Sequence, residues 1–129
     1  MSFSTAVQQI TLDVLQAHAP LTQPIYDNVP QDSPFPYVTI GEDIINQEDT
    51  DSELSVFASI TVHTWSRARG KKELKQIQGV IYDALHRATP TLAGYKVVTI
   101  DFESANSLLD SDGKTRHGVQ TFRMLLEQL

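Results

Sequence analysis

Residues 71–88, KKELKQIQGVIYDALHRA, decide how this chain folds. Leu74, Ile77, Ile81, Leu85 and Ala88 recur at helical spacing and make one apolar stripe, while Lys75, Gln78 and Asp83 point elsewhere. Gly70 stands just before the segment, and Thr89-Pro90 stops it, because proline has no N–H with which to continue the backbone ladder. A single helix with one apolar face needs a sheet to cover. Segments that read as strands lie on both sides of it.

Working outward, Tyr37–Glu42 (YVTIGE) is the first clear strand and leads to an acidic tip at Gln47–Asp51. Glu53–Ser66 is the longest. Its Leu54, Val56, Ala58, Ile60 and Val62 alternate onto a core face; Ser55, Phe57, Ser59, Thr61, His63 and Trp65 take the other. Beyond the helix, Tyr95–Glu103 alternates with Val98, Ile100 and Phe102 inward. A turn at Asp110–Lys114 (DSDGK) precedes a last strand over Thr115–Glu127, with Phe122, Met124 and Leu126 on one face. Near the N-terminus, Phe3, Val7, Ile10, Val14 and Ala17 define another helix over Ser4–His18, with Pro20 after it and His18 as a helix-end residue. Five of the six prolines, Pro20, Pro24, Pro30, Pro34 and Pro36, then impose an extended, turning path in which Ile25-Tyr26-Asp27 reads as a short strand. Strand–helix–strand through the central helix predicts a right-handed parallel crossover, with the last strand inserted antiparallel between its two ends. The expected fold is α+β: one domain over 1–129, a two-layer sandwich of a mostly antiparallel four-stranded sheet with two helices on one face.

At 129 residues the chain is long enough to bury about two thirds of its unfolded surface in one core. It has no cysteine, which excludes disulfides and thiolate metal sites. Residues 1–30 hold neither Lys or Arg nor a long apolar run, arguing against a signal peptide, and no apolar stretch approaches the roughly 20 residues that span a bilayer. The net charge of −6 is unevenly placed: every Lys and Arg lies at or after Arg67, and nine of the sixteen acidic residues lie before it. A net acidic chain is poorly suited to wrapping nucleic acid, where neutralised phosphates supply most of the affinity. Arg67, Arg69, Lys71, Lys72 and Lys75 nevertheless cluster. A solvated helix start is one reading of them; against it, lysines in a first helical turn oppose the helix dipole by about 0.3–1 kcal/mol each, which points to a partner that gains from the charge.

Catalytic and metal chemistry find no motif. His18, His63, His86 and His117 are scattered, with no i, i+4 pair and no HExxH. Asp110-Ser111-Asp112-Gly113 starts like a calcium loop but lacks the third acidic ligand and the glutamate at position 12. Asp101 and Glu103 share a strand face with no acid/base partner placed beside them, and read as solvated charge. GxSxG, P-loop and GxGxxG patterns are missing. No cofactor is expected.

The proline-rich stretch carries a resemblance. Ile25-Tyr26-Asp27-Asn28-Val29-Pro30-Gln31-Asp32, followed by Pro34-Phe35-Pro36-Tyr37-Val38-Thr39-Ile40-Gly41, is similar to the signature of phage tail-completion proteins. These are the tail terminators of long, non-contractile siphophage tails, also found in prophages and gene transfer agents. Val62-His63-Thr64-Trp65-Ser66-Arg67, Asp112-Gly113-Lys114-Thr115-Arg116-His117-Gly118 and Phe122-Arg123 extend the similarity along nearly the whole chain, with Thr39 and Thr64 at usually apolar positions. The resemblance implies a structural virion protein, made in the bacterial host cytoplasm and located at the head–tail joint. It implies a ring, typically a hexamer, that caps the tail tube, stops polymerisation and meets the head-completion or connector protein. Its partners are then further copies of itself, the tail tube protein and the connector. DNA passes through the lumen without sequence-specific binding, and neither membrane nor active site is implied.

A ring needs a heterologous interface, in which one patch meets a different patch on the next copy. On that basis Arg67, Arg69, Lys71 and Lys72 are expected to face the acidic Glu42–Glu53 region of a neighbour, including Glu48, Asp49, Asp51 and Glu53. Phe57 and Trp65 are expected between subunits. Asp110, Asp112 and Lys114 belong to a polar tip, expected to be mobile in the free protein and to face the tube, the connector or the lumen. Two alternatives stand beside this: a head-closure or neck adaptor ring, and a small cofactorless α+β enzyme.

Overall fold

Ser2 opens the first helix: its hydroxyl accepts the Thr5 amide at 3.1 Å, satisfying one of the donors a helix start leaves unpaired. The structure is a computed structural model that describes residues 1–48 and 54–129. Its elements are α1 (Phe3–Ala17), β1 (Ile25–Tyr26), β2 (Tyr37–Gln47), β3 (Leu54–Ser66), α2 (Lys72–Leu85), β4 (Thr91–Leu92), β5 (Tyr95–Leu109) and β6 (Arg116–Gln128). The strands form one mixed, curled sheet in the order β1-β2-β3-β6-β5-β4. β6 lies antiparallel between β3 and β5 in long, nearly unbroken registers, as the crossover argument predicts. The predicted four strands become six. β1 adds a parallel edge to β2, and β4 folds back on β5 through Ala93-Gly94, where Gly94 takes φ +86°. β1 is the short strand read at Ile25-Tyr26, now joined to the sheet, whereas β4, also two residues long, is too short for any alternation to be visible in the sequence.

The core joins the inner faces of both helices to one face of the sheet. Ala6, Val7, Ile10 and Leu15 of α1 and Ile77, Ile81 and Leu85 of α2 meet Val38, Ile40, Val56, Ala58, Ile60, Val62, Ile100, Phe122, Met124 and Leu126. Four details depart from the sequence reading. Leu54 is 54% exposed instead of inward, since it sits at the outer start of β3. Val98 is exposed and Val97 packs on the core instead, because a bulge between Val97 and Thr99 inserts a residue and reverses which neighbour faces in. The helix α2 ends at Leu85, short of Ala88. The His86 ring accepts the Phe102 amide through Nδ1, and the Arg87 amide donates to the Ile100 carbonyl, so bonds to β5 replace the last helical turn.

Gln78, read as outward, is buried. Its Nε2 donates to the Asn106 carbonyl of β5 at 3.1 Å, which lets the polar side chain be buried there, and its backbone carbonyl accepts Gln120 Nε2 from β6 at 2.9 Å. Gly118 makes this approach possible. A Cβ there would lie 2.5 Å from Gln78 Nε2 and 2.9 Å from Leu74 Cδ1. Gly118→Ala is therefore expected to push α2 off the sheet and lower stability by about 1–3 kcal/mol in urea unfolding. An unchanged midpoint would show that α2 gives way freely.

Candidate functional site

The face of the sheet away from the helices carries a ladder of rings contributed by β1, β2, β3 and β6. Alternation along β3 sends His63 and Trp65 to this face, and the β3–β6 register sets Trp65 opposite His117. The indole lies flat on the His117 imidazole, centroids 3.8 Å apart at 9°, and its Nε1 donates to Thr39 Oγ1 at 3.1 Å. Tyr37 continues the ladder 6.5 Å from Trp65, with Phe35 and Tyr26 at 5.0 and 5.9 Å from Tyr37. Farther along β3, Phe57 is covered by the Arg123 guanidinium at 3.8 Å. Phe57 and Trp65 are thus outside the core, as the sequence reading holds, yet each already has a partner in its own chain.

Inside this ladder sits a chain of titratable groups that the sequence did not disclose. His63 Nδ1 faces His117 Nε2 at 2.5 Å, His63 Nε2 faces Glu42 Oε2 at 3.3 Å, and His117 Nδ1 lies 4.0 Å from Asp110 Oδ1. The approach of His63 to β2 requires Gly41, where a Cβ would fall 2.4 Å from the imidazole. Two facing imidazole nitrogens share one proton; a proton on each would set two N–H groups against one another. Burial lowers the His117 pKa, helped by the charge of His63, against the pull of Asp110 and Glu42. Glu42 is lowered by a backbone N–H and by His63. On acidification the unfolded His117 imidazole, near 6.5, takes its proton before the folded one, so folding stability is full above about pH 6.5 and falls as pH drops below it. Melting temperature should therefore fall between pH 7.5 and 5.5, and fall less in His117→Phe. Equal losses in both proteins would clear His117 of the effect.

At the end of the sheet where β3 leads into α2, the basic cluster takes shape. Arg67, Ala68, Arg69 and Gly70 on one side and Gly113, Lys114 and Arg116 on the other line an open cleft of about 320 Å³. The structure thus brings Arg67 and Arg69 together with Lys114 and adds Arg116, which the sequence reading missed because only the β3–β6 register places it there. Lys71 and Lys72 stand at the α2 start without a side-chain cap. Arg67 is committed within its own chain: it stacks on Phe35 at 4.4 Å, its Nε donates to Thr115 Oγ1 at 3.1 Å, and Nη2 lies 3.9 Å from Asp112. Arg69, Lys71, Lys72, Lys114 and Arg116 have no carboxylate partner among the described residues. Glu48 is exposed and its amide donates to the Ser55 carbonyl; Asp49, Asp51 and Glu53 lie outside the described residues.

The Asp110–Lys114 tip is bonded to itself. It is a closed turn, in which the Asp110 amide donates to the Thr115 carbonyl and the Gly113 amide to the Asp110 carbonyl. The Asp112 carboxylate accepts the amides of Thr115 and Lys114 and the Thr115 hydroxyl, which lower its pKa to about 2. Among the described residues no group of three His, Asp or Glu is placed to hold a metal, and no helix is long and apolar enough to cross a membrane.

The two surface features of this chain are thus a ring-bearing sheet face and a cationic cleft in which Arg69, Lys114 and Arg116 have no carboxylate partner among the described residues. The chain belongs to the family "Tail completion protein gp17", whose model matches residues 6–127. It is 25% identical over 126 residues to the tail completion protein gp17 of Bacillus phage SPP1, covering 95% of this chain and 93% of that one. A chain of the virion of a native gene transfer agent particle superposes with a TM-score of 0.88 at 22% identity, covering 98% of this chain and 99% of that one. The structure of bacteriophage SPP1 gp17 does so at 0.60 and 25% identity, covering 94% and 88%. The family is one of structural tail-completion proteins, which sets aside the enzyme alternative.

Proposed function

We propose that this protein completes the phage tail as a ring, a hexamer in the particle, that caps the tail tube, stops its polymerisation and offers a surface to the head connector. The observation that carries this reading is the segregation of charge on a rigid scaffold. Exposed cations at the α2 end, unpaired among the described residues, complement Glu42 and Asp43 on β2 and Glu48 just beyond it, and two different complementary patches are what a closed head-to-tail ring uses. Membership of the tail-completion family favours the tube end over a neck adaptor. The turn at Asp110–Lys114, closed by hydrogen bonds to Asp112, carries two carboxylates beside Lys114 and is suited to the lumen or to the axial face of such a ring. A lumenal tip repels phosphate, so DNA slides past without sequence-specific binding.

The test is growth of tail tubes from tube protein in the presence of this protein, followed by electron microscopy. Tubes of limited length with a ring at one end are expected. Tubes that lengthen as they do without it would overturn the reading.

A further inference from the structure

Both flanks of the sheet are only partly covered. β1 pairs with β2 at Val38 and Thr39 alone, and β4 pairs with β5 at Tyr95 and Lys96 alone. Among the described residues, no strand lies on the outer side of β2 from Ile40 to Asn46 or of β5 from Val97 to Leu109. A long free edge is a template for another strand unless bulges or charges block it. On β5 those blocks are confined to the first half: bulges at Val97/Thr99 and Phe102/Ser104, and the carboxylates Asp101 and Glu103. From Ser104 to Leu109 (SANSLL) the register is regular and the edge uncharged, ending in Leu108 and Leu109 at 45% and 50% exposure. On β2 the bulge sits between Ile40 and Asp43, and beyond it Ile44, Ile45 and Asn46 run regular and uncharged, with Ile44 at 61% exposure.

We propose that the Ser104–Leu109 edge of β5 accepts the Ile44–Asn46 edge of β2 from a second copy as an antiparallel strand, so that the sheets of neighbouring subunits join. This rests on the ring reading above and supplies its main-chain contact. The two edges fit in polarity: β2 is antiparallel to β3, β3 to β6 and β6 to β5, so a neighbour in the same orientation offers β2 antiparallel to β5. They also fit in face. Leu108 lies beside His117 and Ile44 beside Ser59, both on the ring-bearing face. With Ile44 opposite Leu108, Asn46 meets Asn106 on that face and Ile45 meets Ser107 on the other.

Charge selects this register. The unshifted one, in which each row of one sheet runs straight into the next, sets Ile44 against Asp101 and Asp43 against Phe102 and brings Glu42 beside Glu103, an apolar chain against a carboxylate and two carboxylates together. The shifted one puts Asp43 on the same face as Arg116, two strand spacings or about 10 Å away. The stagger it introduces is what a tilted sheet needs in order to close on itself.

The chain has no cysteine, so paired thiols report the contact directly. Ile44→Cys with Leu108→Cys in one chain, oxidised as purified full-length protein with and without tail tubes, should give a ladder of linked subunits on non-reducing gels. Ile44→Cys with Asp101→Cys should stay at background. Rings seen by microscopy without the ladder would overturn edge pairing and leave the ring standing. A ladder from the Asp101 pair instead would overturn the register. Neither rings nor ladder in the presence of tubes would overturn both, and circular dichroism matching the parent establishes that the variants are folded.

Discussion

Changing Arg69, Lys71, Lys72 and Lys114 to glutamate is expected to leave a folded monomer that no longer assembles. All four are exposed and have no carboxylate partner among the described residues, so the monomer loses no contact that holds it together. Lys71 and Lys72 oppose the α2 dipole, and glutamate there favours it by about 0.3–1 kcal/mol per residue, so the melting temperature should hold or rise slightly. Across an interface the outcome is opposite. Four reversals of two units each take the chain from −6 to −14 and set like charge against the acidic β2 of the neighbour. A single rim charge contributes only about 0–1 kcal/mol, so the quadruple change is the fair test. Arg67 is left in place because Phe35, Thr115 and Asp112 hold it inside its own chain, and its loss would confuse assembly with folding. Light scattering at physiological salt decides the matter: rings that persist in the variant would remove this cluster from the interface.

Phe122→Ala should be the most damaging single change to the fold. Phe122 is wholly buried in the middle of β6, the strand that joins the two halves of the sheet, and its ring meets Phe102 edge-on at 5.8 Å and 73°. Truncating a buried phenylalanine typically removes about 3–5 kcal/mol, burial and cavity together. Domains have only about 5–15 kcal/mol in hand. The urea midpoint should drop accordingly, while Phe102→Ala, at a half-buried position nearer the free edge, should drop it less. Equal losses at the two positions would show that the core is centred on the Phe102 side.

The long elements were legible because burial imposes a period on them. The stripe through Leu74, Ile77, Ile81 and Leu85, and the alternation through Val56, Ala58, Ile60 and Val62, are the inner faces observed. Insertion of β6 between β3 and β5 followed from chain direction alone. Errors fell where one residue breaks the period, as at the Val97/Thr99 bulge, or where a tertiary bond competes with a local one, as at His86 and Arg87 beyond α2. The family could also be read from the sequence, because its proline-rich turn and its Asp112-Gly113 turn are local backbone devices whose residue types are dictated on the spot.

The site was legible only in part. Composition revealed a cationic cluster around Arg67–Lys75 and an aromatic strand face. It could not reveal that Arg67 is tied down by Thr115, that Arg116 joins the cleft, or that His63 and His117 stand 2.5 Å apart from positions 54 residues distant in the chain. By itself, the sequence determined what each segment wants from its own neighbours: helix, strand, turn, and which side is apolar. The tertiary structure alone decided which side chains meet across strands. That depends on register, and a shift of one residue turns every side chain to the opposite face while leaving the composition of the strand unchanged.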